Sequence, residues 1–115
     1  MKTGFIVLGD NILESFLAVS EREQSQGLMF VEPPTPIMSF VYTAPKINKF
    51  WMQNTPSDLD IVFCYKNKVS QIHHGKPFST QTIGNNEFSD LVIELPFGTC
   101  REMGIKIGSS AQLLK

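Results

Sequence analysis

Charge is scarce in this chain of 115 residues: 18% of its side chains are Asp, Glu, Lys or Arg, against roughly 25% in an ordinary domain. Ten basic and eleven acidic residues leave a formal charge of -1. With no positive excess to neutralise a phosphate backbone, nucleic acid is not the expected main ligand. Long apolar runs are also missing, and none approaches the roughly 20 residues of a membrane-spanning helix. The opening segment, Met1-Lys2-Thr3-Gly4-Phe5, carries one positive charge and only a brief apolar burst. That is too short for a signal peptide, so the expected location is cytoplasmic, or within a larger particle such as a virion. Cysteine is limited to Cys64 and Cys100. No C-x-x-C pair or second histidine cluster gives zinc-ligand spacing, and small disulfide scaffolds carry more bridges. The two thiols therefore read as buried and reduced. A P-loop, a G-x-G-x-x-G and a G-x-S-x-G are all absent, which removes the motif basis for nucleotide binding and serine hydrolysis. No cofactor is expected.

What is present is enough to build a core. Hydrophobic residues make up 42% and nine residues are Phe, which excludes global disorder. The length fits a single domain over residues 1–115. Short apolar runs alternate with Gly, Pro and Asn. Residues 4–8 and 12–19 read as strands joined at Gly9-Asp10-Asn11, which tolerate positive φ. Ser20-Glu21-Arg22-Glu23 is a capping box, and the short helix it starts should close at Gly27. Pro33, Pro34 and Pro36 forbid a helix or a central strand and imply a surface loop. Further strands are expected at 37–43, 49–53, 59–65, 69–74, 91–95 and 111–114, with a turn around Pro45. A second capping box, Thr99-Cys100-Arg101-Glu102, should start a helix closed by Gly104. The expectation is a mainly β fold, a barrel or sandwich of about eight short strands with two short helices.

Candidate chemistry concentrates in two places. In the hairpin of 59–74, side-chain alternation puts Leu59, Ile61 and Phe63 on one face and Asp60, Val62 and Cys64 on the other. A two-residue turn at Lys66-Asn67 sets Asp60 across from His73, and a three-residue loop sets it across from His74. Either pairing is an acid–base dyad, half a metal site, or a structural salt bridge. Asp60 could instead satisfy loop N–H groups. The run Phe50-Trp51-Met52-Gln53-Asn54-Thr55 is the second place. Trp51 should face away from Phe50 and Met52, while Asn54 and Thr55 form turns. A pocket rimmed by Trp51, Asn54 and Asp60 competes with a core aromatic and an Asx turn. Cys100, in a first helical turn, is the better placed thiol for nucleophilic work.

The order of Gly27-Leu28-Met29-Phe30, Phe50-Trp51-Met52-Gln53-Asn54-Thr55, Leu59-Asp60-Ile61 with Phe63, Glu94-Leu95-Pro96 with Gly98, and Gly104-Ile105-Lys106 with Gly108 resembles domain of unknown function 192, the uncharacterised ACR family. The resemblance runs from residue 13 to 114. It implies a β-rich single domain and no particular activity. Members typically carry arginines around the Gly-Leu-Met segment, where this chain has Gln24, Gln26 and Val31, and a proline where it has Asp58.

Three function classes fit. The first is a non-catalytic binding or assembly module with protein partners or self-assembly, such as a structural component of a virion. The second is a small-molecule or glycan-binding β-domain using Trp51, Asn54 and Asp60. The third is a minor hydrolase or metal enzyme built on Asp60 with His73 or His74.

Overall fold

Apolar alternation cut by tight turns gives seven strands and two short helices. In chain order these are β1 (Lys2–Leu8), β2 (Asn11–Ala18), α1 (Glu21–Gln26), β3 (Met38–Ile47), β4 (Leu59–Tyr65), β5 (Lys68–Gly75), β6 (Phe88–Pro96), α2 (Thr99–Met103) and β7 (Ala111–Leu113). They come from a computed structural model that describes residues 1–115. All strands join one sheet in the order β5-β4-β6-β3-β2-β1-β7. Every pairing is antiparallel except β2 with β3, which run parallel because the crossover between them carries α1.

The sheet curls until its two edges touch at one end. There Val69 N–H donates to Ser109 O at 2.9 Å and Ala111 N–H to Asn67 O at 3.0 Å. The result is a mainly β half-barrel, a single curled sheet and not a sandwich. The eighth expected strand, at 49–53, does not form. Phe50 makes an isolated bridge to Ile83, and the Met52 N–H goes to Ser79 O at 2.9 Å. Those backbone groups find partners in the 76–87 loop, so no ladder is needed. Conversely, β3 continues through the turn expected at Pro45. Its register with β6 breaks between Val41 and Lys46, where a proline that cannot donate is tolerated.

Each face of the sheet has its own core. Inside the curl lie Ile6, Leu8, Val62, Ile93 and Leu95 with both cysteines. Outside it, Phe40, Met52, Leu59, Ile61, Phe63 and Val92 pack together. The first six residues of β4 are buried, alternating between the two clusters. β4 lies between β5 and β6 and supplies both cores, so any polar side chain on it needs a partner.

The two capping boxes behave differently. At α1, Ser20 Oγ accepts from Glu23 N–H and Glu23 Oε1 accepts from Ser20 N–H, each at 3.1 Å. At α2 the expected Thr99 cap is absent. Gly98 is the N-cap with no side-chain cap bond, and Thr99 Oγ1 donates to Pro96 O at 2.6 Å instead. The cap arrives from β4: Asp60 Oδ2 accepts from Gly98 N–H at 3.1 Å and from Cys100 N–H at 3.0 Å. One buried carboxylate thus ties the helix start to the inner core. Replacing Asp60 by Ala strands both donors, and hydrogen bonds to a charged acceptor set the expected loss at about 2–4 kcal/mol. Urea denaturation checks it, and a loss below about 0.5 kcal/mol, the scale of an ordinary surface change, would contradict this role.

Candidate functional site

The segment after β3 is fixed by a buried asparagine. Asn48 Nδ2 donates to Ser89 Oγ at 2.7 Å and to Ser89 O at 3.1 Å, pinning the 48–58 loop onto β6. Phe50 then sits edge-on to Phe40 and Phe63, with ring centroids 4.9 and 5.6 Å apart. Met52 is fully buried, while Trp51 points outward and stays 49% exposed. On the other side, Gln24 of α1 donates from Nε2 to Ala18 O at 3.1 Å and Val41 O at 3.0 Å, clamping the helix across the parallel β2–β3 pair. At Gly27 the chain approaches Phe40 so closely that an added Cβ would lie 3.2 Å from the ring.

Between α1, β3 and the 48–55 stretch lies an open cavity of about 440 Å³. Its walls include Phe40, Tyr42, Phe50 and Thr55, with Trp51 at the rim. Glu94 of β6 also lines it. Alternation forces this position: Ile93 and Leu95 take the inner face, so Glu94 must face outward beneath the cavity. Glu94 is only 4% exposed. Burial pushes its carboxyl up to about 8, and no hydrogen bond or charged neighbour offsets that push. Lys46 and Lys49 also line the cavity, but both are exposed and neither offsets the burial of Glu94. Lys46 Nζ sits 5.0 Å from the Tyr42 ring centroid, and Lys49 Nζ donates to Gly84 O at 2.7 Å. Burial, and after it the nearby Glu94, raises the Tyr42 phenol. The floor group is therefore a protonated acid near neutral pH, able to donate or accept, and able to ionise against a cation.

The residues singled out in the sequence do not converge on this cavity as a group. Trp51 and Thr55 line it. The Thr55 hydroxyl is spent on Gln53 O at 3.1 Å. Asn54 adopts a positive φ of 56°, and its carbonyl accepts from Phe30 N–H at 2.7 Å, which makes it a turn residue. Asp60 points to the opposite face of β4, into the inner core. The Lys66-Asn67 turn has two residues, yet a bulge between Phe63 and Cys64 shifts the ladder so that Asp60 stands opposite His74. Their side chains do not pair, because Asp60 is committed to the α2 N–H groups. His74 Nε2 meets Asp58 Oδ1 at 2.5 Å and stacks on Phe97 with centroids 3.9 Å apart. His73 lies edge-on to Phe63 at 5.4 Å, with Nε2 on Gln71 Oε1 at 2.8 Å. Burial and then Lys49 lower the His73 pKa.

The thiols are also poorly set for nucleophilic work. Cys100 is pushed up to about 12, first by burial and then by Asp60, which outweighs any help from the helix start. Burial raises Cys64 as well, and both cysteines are free. No three His, Cys, Asp or Glu side chains converge as metal ligands.

Sequence alone gives Glu94 no prominence, because it lies within an apolar strand. The available signal was a single acid between Ile93 and Leu95, in a run whose other residues are apolar on both faces. Its raised pKa has a consequence for stability. The folded protein holds this proton more tightly than the unfolded chain, so the contribution of Glu94 is most favourable below its ordinary value of 4.5 and is lost as pH rises toward about 8. Glu94→Gln removes that loss. Its stability relative to wild type should therefore climb between about pH 5 and 8, by a few kcal/mol in urea titrations. A constant difference would show that Glu94 titrates normally.

The family model for DUF192, described as uncharacterised ACR, matches residues 8–113. No curated protein matches the chain. Among solved structures, a protein of unknown function from Novosphingobium aromaticivorans DSM 12444 superposes with a TM-score of 0.89 at 26% identity, covering 96% of this chain and 84% of the other. A candidate transcription regulator from Sinorhizobium meliloti 1021 gives a TM-score of 0.91 at 26% identity, covering 97% and 94%.

Proposed function

The chain belongs to the DUF192 family of uncharacterised ACR proteins, and from that premise we propose that it is a binding domain whose cavity beneath α1 takes a small molecule. The observation that carries this reading is the Glu94 carboxyl, buried without a protein partner and lining an open cavity. Buried polar groups are normally paired, and one left free at a cavity wall is where a ligand gains most by pairing with it. Trp51 adds a half-exposed aromatic plate at the mouth, suited to stacking or to covering an apolar part of the ligand. The Sinorhizobium meliloti neighbour described as a candidate transcription regulator raises DNA as an alternative ligand. With a formal charge of -1, however, this chain has no positive excess of its own to hold DNA.

Trp51 is the single tryptophan, so its fluorescence reports directly on the mouth. In a thermal-shift screen of small polar molecules, true ligands should raise the melting temperature and change Trp51 emission together. A concentration 100 times the Kd adds about 2.7 kcal/mol of stability. Trp51→Ala and Glu94→Gln should each weaken the shift. Ligands that stabilise both variants as well as wild type would place binding elsewhere.

A second reading rests on a different surface. On the outer face of the β1–β2 hairpin, Phe5 is 51% and Ile12 67% exposed, with Phe16 beside them. Exposed apolar neighbours of this kind favour a protein partner or self-assembly. For self-assembly, sedimentation over a concentration series should show a dimer or larger species that Ile12→Lys returns to monomer. A monomer at every concentration removes self-assembly.

A further inference from the structure

We propose that the cavity selects a compact organic ammonium ion, seated between the Glu94 carboxylate and the rings of Phe40, Tyr42, Phe50 and Trp51. This inference rests on the reading of the cavity as a small-molecule site and names the class of molecule. Three observations lead to it. First, the one buried charged-type side chain of the cavity is an acid, and nothing in the protein compensates its ionised form. A cation compensates that form directly, whereas an anion is repelled by it and a neutral ligand leaves it uncompensated. Second, four lining residues are aromatic, and aromatic faces attract ammonium groups within about 6 Å of their centroids. Tyr42 already holds one such group, Lys46 Nζ at 5.0 Å. Third, the two lysines at the cavity sit at its exposed edge and are engaged there, with Lys49 on the Gly84 carbonyl at 2.7 Å.

The charged and titratable groups around Glu94 are few. β3 contributes Tyr42 and Lys46, the 48–58 loop contributes Lys49, and α1 contributes Glu21. β4 presents only Leu59, Ile61 and Phe63 on this face. The Glu94 carboxyl, raised by burial to about 8, is the group whose proton the binding step displaces. An arriving ammonium ion therefore displaces the Glu94 proton to solvent. Binding strengthens as pH rises toward about 8 and levels off above it, because the carboxyl is then already ionised.

The test titrates the intact protein with butylammonium and tetramethylammonium chloride, with sodium chloride at matched ionic strength as control. Neutral probes of similar shape, 1-butanol and tert-butyl alcohol, run alongside. Trp51 fluorescence and amide NMR shifts report binding. The ammonium probes should bind at least about tenfold more tightly than the neutral ones, the scale of one desolvated cation–π contact or ion pair. Their affinity should rise by up to about tenfold per pH unit below the Glu94 midpoint. Glu94→Gln, which keeps the side-chain shape, should lose both the preference and the pH dependence while still unfolding cooperatively. Neutral probes that bind at Trp51 as tightly as the ammonium ions would overturn the ammonium assignment and leave the small-molecule site standing. If no probe of either kind perturbs Trp51 or its neighbours, the cavity reading falls along with it.

Discussion

A strand buried on both faces leaves little water for a polar side chain, so each acid it carries must find a partner, reach a cavity or give up its charge. β4 and β6 are adjacent strands of this kind, and each carries one buried acid, on opposite faces. Asp60 turns inward and accepts two backbone N–H groups, so its charge is spent on holding α2. Glu94 turns outward, finds no partner, and keeps its proton near neutral pH. The same physical cost is met by structure at one site and left open to a ligand at the other.

The cavity above Glu94 exists because the chain crosses over between two parallel strands. An antiparallel hairpin could not place a helix there. The crossover sets α1 on the outer face, Gln24 ties it to both strands, and Asn48 brings the 48–58 loop across from the other side. The side chains that do this bracing are uncharged amides. The T-shaped contacts of Phe50 with Phe40 and Phe63 seal the lower wall, and Trp51 is left at the mouth by simple alternation.

Much of the β architecture was legible from alternation and turn chemistry. The Leu59–Tyr65 strand and the Ser20 capping box formed as expected, because local signals alone decide them, and the turn expected over Gly9-Asp10-Asn11 formed at Gly9-Asp10 with Asn11 already in β2. Features that depend on distant partners were not legible. The Thr99 box looked as good as the Ser20 box, yet Asp60, far away in sequence, took the N–H groups at α2. The bulge between Phe63 and Cys64 changed which histidine faces Asp60, and no turn rule announces a bulge. The sheet order was open, since a parallel β2–β3 pair cannot be read from short strands. Of the three residues expected at a pocket rim, Trp51 lines the cavity while Asn54 and Asp60 do not; Thr55, expected as a turn residue, lines it too, and Glu94 has no prominence in an apolar run. Its significance appears only when both faces of β6 are known to be covered.

The character of the cavity depends on one proton, that of Glu94. A carboxyl-carbon NMR titration of Glu94 in the free protein measures it directly. A midpoint raised well above the ordinary 4.5, toward about 8, is the result expected of an unpaired acid in this cavity. A midpoint at the ordinary value would mean that Glu94 is solvated or paired in solution, and the cavity would lose the group that defines it.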